Sequence, residues 1–127
     1  MARVLVVEDD QQVRMMLRMT LERAGYEIDE AEDGRVALQK HAAHPADLVI
    51  TDIVMPEKEG IETIMELRRS SPTIPIIAIS GGGHETPENY LILAERLGAN
   101  KSFAKPVDRE KMLQAVGELL EQTESCV

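Results

Sequence analysis

The sequence predicts an open parallel β-sheet with helices on both faces, built as strand then helix five times over. Three observations carry that reading. Short apolar runs alternate with helix-like patterns along all 127 residues. The runs VLVV (4–7), LVIT (48–51) and IIAI (76–79) are apolar almost throughout, as strands buried on both faces require. Each is followed at once by polar or charged residues, so chemistry-bearing side chains collect at the carboxyl ends of the greasiest strands.

The first run, Val4 to Val7, leads into a helix. Its Val13, Met16, Leu17, Thr20, Leu21 and Ala24 recur at three- and four-residue spacing and form the expected core stripe. Asp10 stands at the cap position, and Gly25 follows where helices often stop. Tyr26 to Ala31 alternates like a more exposed strand. Asp33-Gly34 is a turn signal, and Val36, Ala37, Leu38 and Ala42 begin a second helix that Pro45 ends. Leu48 to Thr51 is the third strand, closed by Asp52. Beyond Met55-Pro56, Gly60 to Ser70 reads as a third helix with Ile61, Ile64, Met65 and Leu67.

Pro72 and Pro75 bracket a loop before the fourth strand, Ile76 to Ile79, which Ser80 and Gly81-Gly82-Gly83 follow. Thr86 and Pro87 mark the start of a helix running to Leu97-Gly98. Ser102 to Ala104 is a short fifth strand, and after Lys105-Pro106 the last helix spans Val107 to Glu121. The strands ending at Val7, Thr51 and Ile79 are the most apolar and are expected at the sheet centre. One domain over 1–121 and a short tail at 122–127 follow from this pattern.

Composition narrows the function classes. Hydrophobic residues make up 43% of the chain, with no Trp, one Phe (Phe103) and two Tyr (Tyr26, Tyr90), so the core is aliphatic. A formal net charge of −9 opposes binding to nucleic-acid phosphates or an anionic membrane and leaves cations and basic partners. The lone cysteine, Cys126, allows no intramolecular disulfide and suits a reducing compartment. No apolar run approaches membrane-spanning length, and MARVLVVEDD lacks a signal peptide, so a cytoplasmic location is expected.

Ligands of open α/β sheets bind outside the carboxyl ends of the strands. There the sequence places Glu8-Asp9-Asp10, Asp52, Ser80 and Lys105. Adjacent carboxylates repel, and a hard divalent cation, Mg²⁺ in particular, offsets that repulsion with oxygen ligands. Lys105 adds a compact positive charge and Ser80 a hydroxyl donor, a set built to take up a phosphoryl group. Asp52 is then the nucleophile, forming an acyl phosphate. Taken singly, Asp10 is a helix cap and Ser80 a turn residue; placements at four strand ends together point to one site.

The stretches VLVVEDD, DLVITDIVMPEKEG, PIIAIS and LGANKSFAKP resemble, in order and spacing, the response-regulator receiver domain of two-component signalling. The resemblance covers essentially the whole chain. It implies a doubly wound, flavodoxin-like sheet of order 2-1-3-4-5, with a cis Lys105-Pro106 bond. By position, Asp52 corresponds to the phosphoacceptor, Asp9 to the acid that contacts Mg²⁺ directly, and Glu8 to the acid that acts through water. The Val54 carbonyl corresponds to the third protein ligand of the metal, Ser80 to the hydroxyl that bonds the phosphoryl group, and Lys105 to the family lysine. The implied donor is phosphohistidine on a histidine kinase or phosphotransfer protein. The implied role is a self-catalysing switch rather than a metabolic enzyme, in a stand-alone or excised receiver; no downstream target is named by the sequence.

Two departures from the family pattern stand out. Ser102 occupies the position of the usual switch aromatic, and Phe103 beside it points to the opposite face of its strand, toward the core. Gly81-Gly82-Gly83 replaces bulkier residues after Ser80 and loosens that loop, so switching is expected to proceed through rearrangement of Gly81 to Glu88. On the first helix, Met15 and Met19 lie opposite the core stripe, flanked by Arg14 and Arg18, and are expected to dock the phosphodonor. A metabolite phosphatase carries a second aspartate two residues after the nucleophile, where this chain has Val54. A partner-binding pseudo-receiver lacks residues present here, and a flavin module is opposed by the scarcity of aromatics.

Overall fold

A computed structural model describes residues 2–53, 59–80, 92 and 94–125. In chain order these form β1 (Arg3–Val7), α1 (Gln11–Arg23), β2 (Glu27–Ala31), α2 (Gly34–Ala43), β3 (Leu48–Asp52) and α3 (Glu59–Ser70). They continue with β4 (Ile76–Ser80), a helix α4 whose described residues are 92 and 94–97, β5 (Lys101–Ala104) and α5 (Arg109–Ser125). The strands are all parallel, in the order β2-β1-β3-β4-β5. This is the doubly wound, flavodoxin-like sheet expected, with the three apolar runs at its centre.

Successive side chains of a strand face opposite layers. Val4 and Val6 therefore pack with Leu17 and Leu21 of α1 and Met112, Val116 and Leu119 of α5. Leu5 and Val7 face the other layer, with Ala37 of α2, Ile64 and Leu67 of α3 and Ala94 of α4. Phe103 packs against the α1/α5 layer, as its position predicts. Ser102 faces the other way and its hydroxyl donates to the Glu95 carboxylate on α4.

Several boundaries differ from the sequence reading. Asp33 caps α2, accepting from the Val36 amide at 2.9 Å, and Gly34 is its first helical residue rather than part of a turn. Ala24 caps the end of α1 and is exposed, because it lies past the last turn that packs on the sheet. The last helix begins at Arg109, since Asp108 caps it by accepting from Glu110 and Lys111 at 3.0 and 3.2 Å, and it continues past Glu121 to Ser125. Val54, Met55-Pro56, the glycine triplet, Thr86-Pro87, Tyr90 and Cys126 lie outside the described residues.

Two polar clasps join elements that are far apart in sequence. His41 is buried on α2; its Nδ1 accepts the Ala46 amide at 3.0 Å, which assigns the proton to Nε2, 3.0 Å from Ser71 Oγ. The nitrogen facing the hydroxyl thus holds a proton, so the pair ties α2 to the end of α3 and is not a nucleophile–base dyad. Burial lowers the His41 pKa.

Arg68 is the second clasp. Its guanidinium donates to the carbonyls of Pro72 (2.9 Å), Ile74 (2.7 Å) and Gly98 (2.5 Å) and to Asn100 Oδ1 (3.1 Å). Asn100 in turn accepts the Ile76 amide at 2.9 Å and donates its own amide to Ile76 O at 2.7 Å. Gly98 adopts φ +133°, and a Cβ there would lie 3.0 Å from Arg68 Nε, so the turn needs glycine. Arg68→Ala is expected to destabilise the protein by about 2 kcal/mol, because the lost fork leaves several carbonyls short of a donor. Arg68→Lys should recover less than half of this in urea unfolding, since an ammonium cannot span the same acceptors.

Candidate functional site

The register brings the polar residues to one edge. Val7 lies opposite Ala31 and Thr51, Asp52 opposite Ile79, and Ser80 opposite Ala104. The ladder continues one step further at each strand: the Glu8 amide donates to Ala31 O at 3.0 Å, Ile53 to Ile79 O at 3.0 Å, and Lys105 to Ser80 O at 2.7 Å. Glu8, Asp52, Ser80 and Lys105 therefore meet at the carboxyl ends of β1, β3, β4 and β5. The Lys105-Pro106 peptide bond is cis.

Lys105 Nζ lies 2.8 Å from Asp52 Oδ2, and 3.2 and 3.1 Å from the two carboxylate oxygens of Glu8. Glu8 is fully buried and Asp52 is 2% exposed. Glu8 Oε1 also accepts the Asp10 amide at 3.1 Å. Asp10 itself caps α1, accepting from the Gln12 amide at 2.9 Å, so its carboxylate serves the helix. Asp9, between them, is exposed. Ser80 Oγ is buried and, among the described residues, has no hydrogen-bond partner.

One cation does not balance this cluster. Burial, and next the charge of Asp52, push the Glu8 carboxyl up to about 8, although the Asp10 amide and Lys105 pull the other way. Burial also opposes the charge on Lys105, yet its hydrogen bonds and ion pairs with Asp52 and Glu8 hold its pKa above the ordinary lysine value. Carboxylate oxygens of Glu8, Asp9 and Asp52 lie within 4.8 Å of one another. An all-oxygen set, short of positive charge and open through Asp9, fits a small hard cation.

Residues 4–117 match the response regulator receiver domain. The chain belongs to this family. The match spans Glu8, Asp9, Asp52, Ser80 and Lys105 of this receiver. It is 36% identical to the chemotaxis protein CheY of Thermotoga maritima over 118 residues, covering 92% of this chain and 96% of that protein. It is 30% identical to the alkaline phosphatase synthesis transcriptional regulatory protein PhoP of Bacillus subtilis, covering 96% of this chain and 50% of that protein. A response regulator receiver domain protein from Clostridium thermocellum superposes with a TM-score of 0.90 at 25% identity, over 100% of both chains. Receivers are signalling switches rather than metabolic enzymes.

The first helix of the receiver departs from the sequence reading. Met15 and Met19 are 52% and 48% exposed, as expected. The cations beside them are Arg23 and Arg109, which with Met16 and Thr20 line a groove of about 310 Å³. Arg14 and Arg18 turn instead toward Glu30 on β2, at 3.5 and 2.6 Å. Arg14 NH1 also donates to the Glu8 carbonyl at 2.7 Å. The place of Arg14 one turn into a helix that starts at the site is the available signal for this contact, and the pattern of an exposed face hides it.

Glu8 links stability to pH in the metal-free protein. Its folded pKa of about 8 is above the ordinary 4.5. The contribution of its protonated form is complete below pH 4.5 and is lost as pH rises through 8. Glu8→Gln, neutral at every pH, is expected to be more stable than wild type by roughly 2 kcal/mol at pH 8.5 and little different at pH 5, by urea unfolding in EDTA. Destabilisation at both pH values would show instead that the ionised Glu8–Lys105 pair stabilises the fold.

Proposed function

We propose that this receiver takes a phosphoryl group from phosphohistidine onto Asp52 in a Mg²⁺-dependent reaction. The observation that carries the reading is the triad at one sheet edge: Lys105 bridging Asp52 and Glu8, beside the Ser80 hydroxyl, which has no partner among the described residues. A carboxylate oxygen of Asp52 attacks phosphorus in line; the O–P bond forms as the P–N bond breaks, and its electron pair returns to the departing imidazole. Lys105 Nζ neutralises charge spread over the phosphoryl oxygens. The Ser80 hydroxyl gains in a phosphoryl oxygen the acceptor it lacks among the described residues. Glu8, Asp9 and Asp52, with the Val54 carbonyl, would hold Mg²⁺, which when bound supplies further neutralisation of that charge.

The donor is a histidine kinase or a histidine phosphotransfer protein meeting the receiver in the cytoplasm. The groove at Met15 and Met19 supports docking of a donor helix: pliable thioethers lie beside two arginines on a chain of net charge −9. One relative is named for chemotaxis and another for transcriptional regulation, so the output of this chain is left to its partners.

Incubation with acetyl phosphate, read by intact mass spectrometry, is expected to give one phosphoryl adduct that requires Mg²⁺ and is absent from Asp52→Asn. An equal adduct on Asp52→Asn, or none on wild type with either acetyl phosphate or a phosphohistidine donor, would overturn the reading. Glu at both Met15 and Met19 should slow transfer from a donor protein at least tenfold while sparing acetyl phosphate. Equal loss with both donors would remove the docking claim.

A further inference from the structure

We propose that Arg14 is a positioning residue that holds the β1–α1 loop in its cation-binding shape, an inference that rests on the metal-dependent reading above. The loop is pinned on both sides of Asp9. Before it, the Glu8 amide is bound to Ala31 O at 3.0 Å and the Glu8 carbonyl accepts from Arg14 NH1 at 2.7 Å. After it, the Asp10 amide donates to Glu8 Oε1 at 3.1 Å, and Asp10 caps the helix that carries Arg14. Arg14 in turn is anchored by Glu30 Oε1 at 3.5 Å on β2.

The same Glu30 carboxylate bonds Arg18 at 2.6 Å. Arg14 is the more enclosed of the two arginines, with a side chain 18% exposed against 45% for Arg18. Of the two, Arg14 has the hydrogen bond to Glu8. This arrangement ties the backbone that presents Asp9 to both neighbouring elements through one planar guanidinium fork.

Charge alone argues against an arginine here. A fixed cation next to a divalent-cation site repels the ligand, so deleting it on Coulombic grounds strengthens metal binding. Geometry acts in the opposite direction: partners that orient ligands commonly account for tenfold or more of metal affinity. The sign of the change therefore separates a positioning role from a purely electrostatic one.

The test compares wild type with Arg14→Ala, Arg14→Lys and Arg18→Ala. Mg²⁺ is titrated by NMR amide shifts, and amide hydrogen exchange at Asp9 and Asp10 is followed in the metal-free protein. Arg14→Ala and Arg18→Ala change the net charge equally, so Arg18→Ala controls for the long-range field. Arg14→Ala is expected to weaken Mg²⁺ binding about tenfold and to speed exchange at Asp9 and Asp10. Arg14→Lys should restore less than half of the loss, and Arg18→Ala should bind as wild type does. If Arg14→Ala does not unfold cooperatively, Arg14→Lys decides alone. Unchanged or tighter binding in the Arg14 variants, with wild type saturating normally, overturns this proposal only. A wild-type protein that never saturates with Mg²⁺ overturns the phosphoacceptor reading as well.

Discussion

The arrangement of this molecule turns on the Lys105 ammonium, held between Asp52 and Glu8 at 2.8 and 3.1 Å. These three residues come from the ends of three different strands, up to 97 positions apart. They meet only if all the strands run parallel and in the observed register. A single slip of one residue would turn a carboxylate from the edge into an apolar layer. Burying this trio is costly, and with both acids ionised one cation leaves excess negative charge, which together with burial pushes the Glu8 carboxyl up to about 8. The tension is the physical basis of the site: a further cation at the carboxylates relieves it.

Much of this was legible in the chain itself. Unbroken apolar runs identified β1, β3 and β4 as central, and polar residues following them located the site edge. Period-two alternation placed Phe103 and Ser102 on opposite faces, as found. Asp10 and Gly25 gave the ends of α1, with Gly25 at φ +97°. Local patterns succeed where the physics is local: capping, strand burial and turn chemistry depend on neighbours in sequence.

What escaped were long side chains that reach across the fold. Arg68 sits among polar residues of α3, and nothing periodic announces that it gathers carbonyls from Pro72, Ile74 and Gly98. Arg14 reads as one more exposed cation until β2 is seen beside it. The arginines by the Met groove came from Arg23 and, far along the chain, Arg109. The start of α5 slipped by two residues because Val107 continued the apolar pattern while Asp108 supplied the cap. Stems of four or more bonds carry a charge well away from its own backbone, so periodicity reports where they start and not where they end.

The strand at one margin of the sheet has a consequence for the protein in a crowded solution. Among the described residues β2 pairs with β1 on one side only, and side chains cap its outward backbone at Glu30, whose amide donates to Asp29 Oδ1 at 3.0 Å and whose carbonyl accepts from Lys40 Nζ. Its sequence, EIDEA, places Glu27, Asp29 and Glu30 along that margin. A second copy adding a strand there would have to break the pairs these acids make with Arg3, Lys40, Arg14 and Arg18, on chains that already carry −9 each. Side chains folded back onto this margin thus act as a guard rail, keeping an incomplete hydrogen-bond ladder from becoming a template for polymerisation.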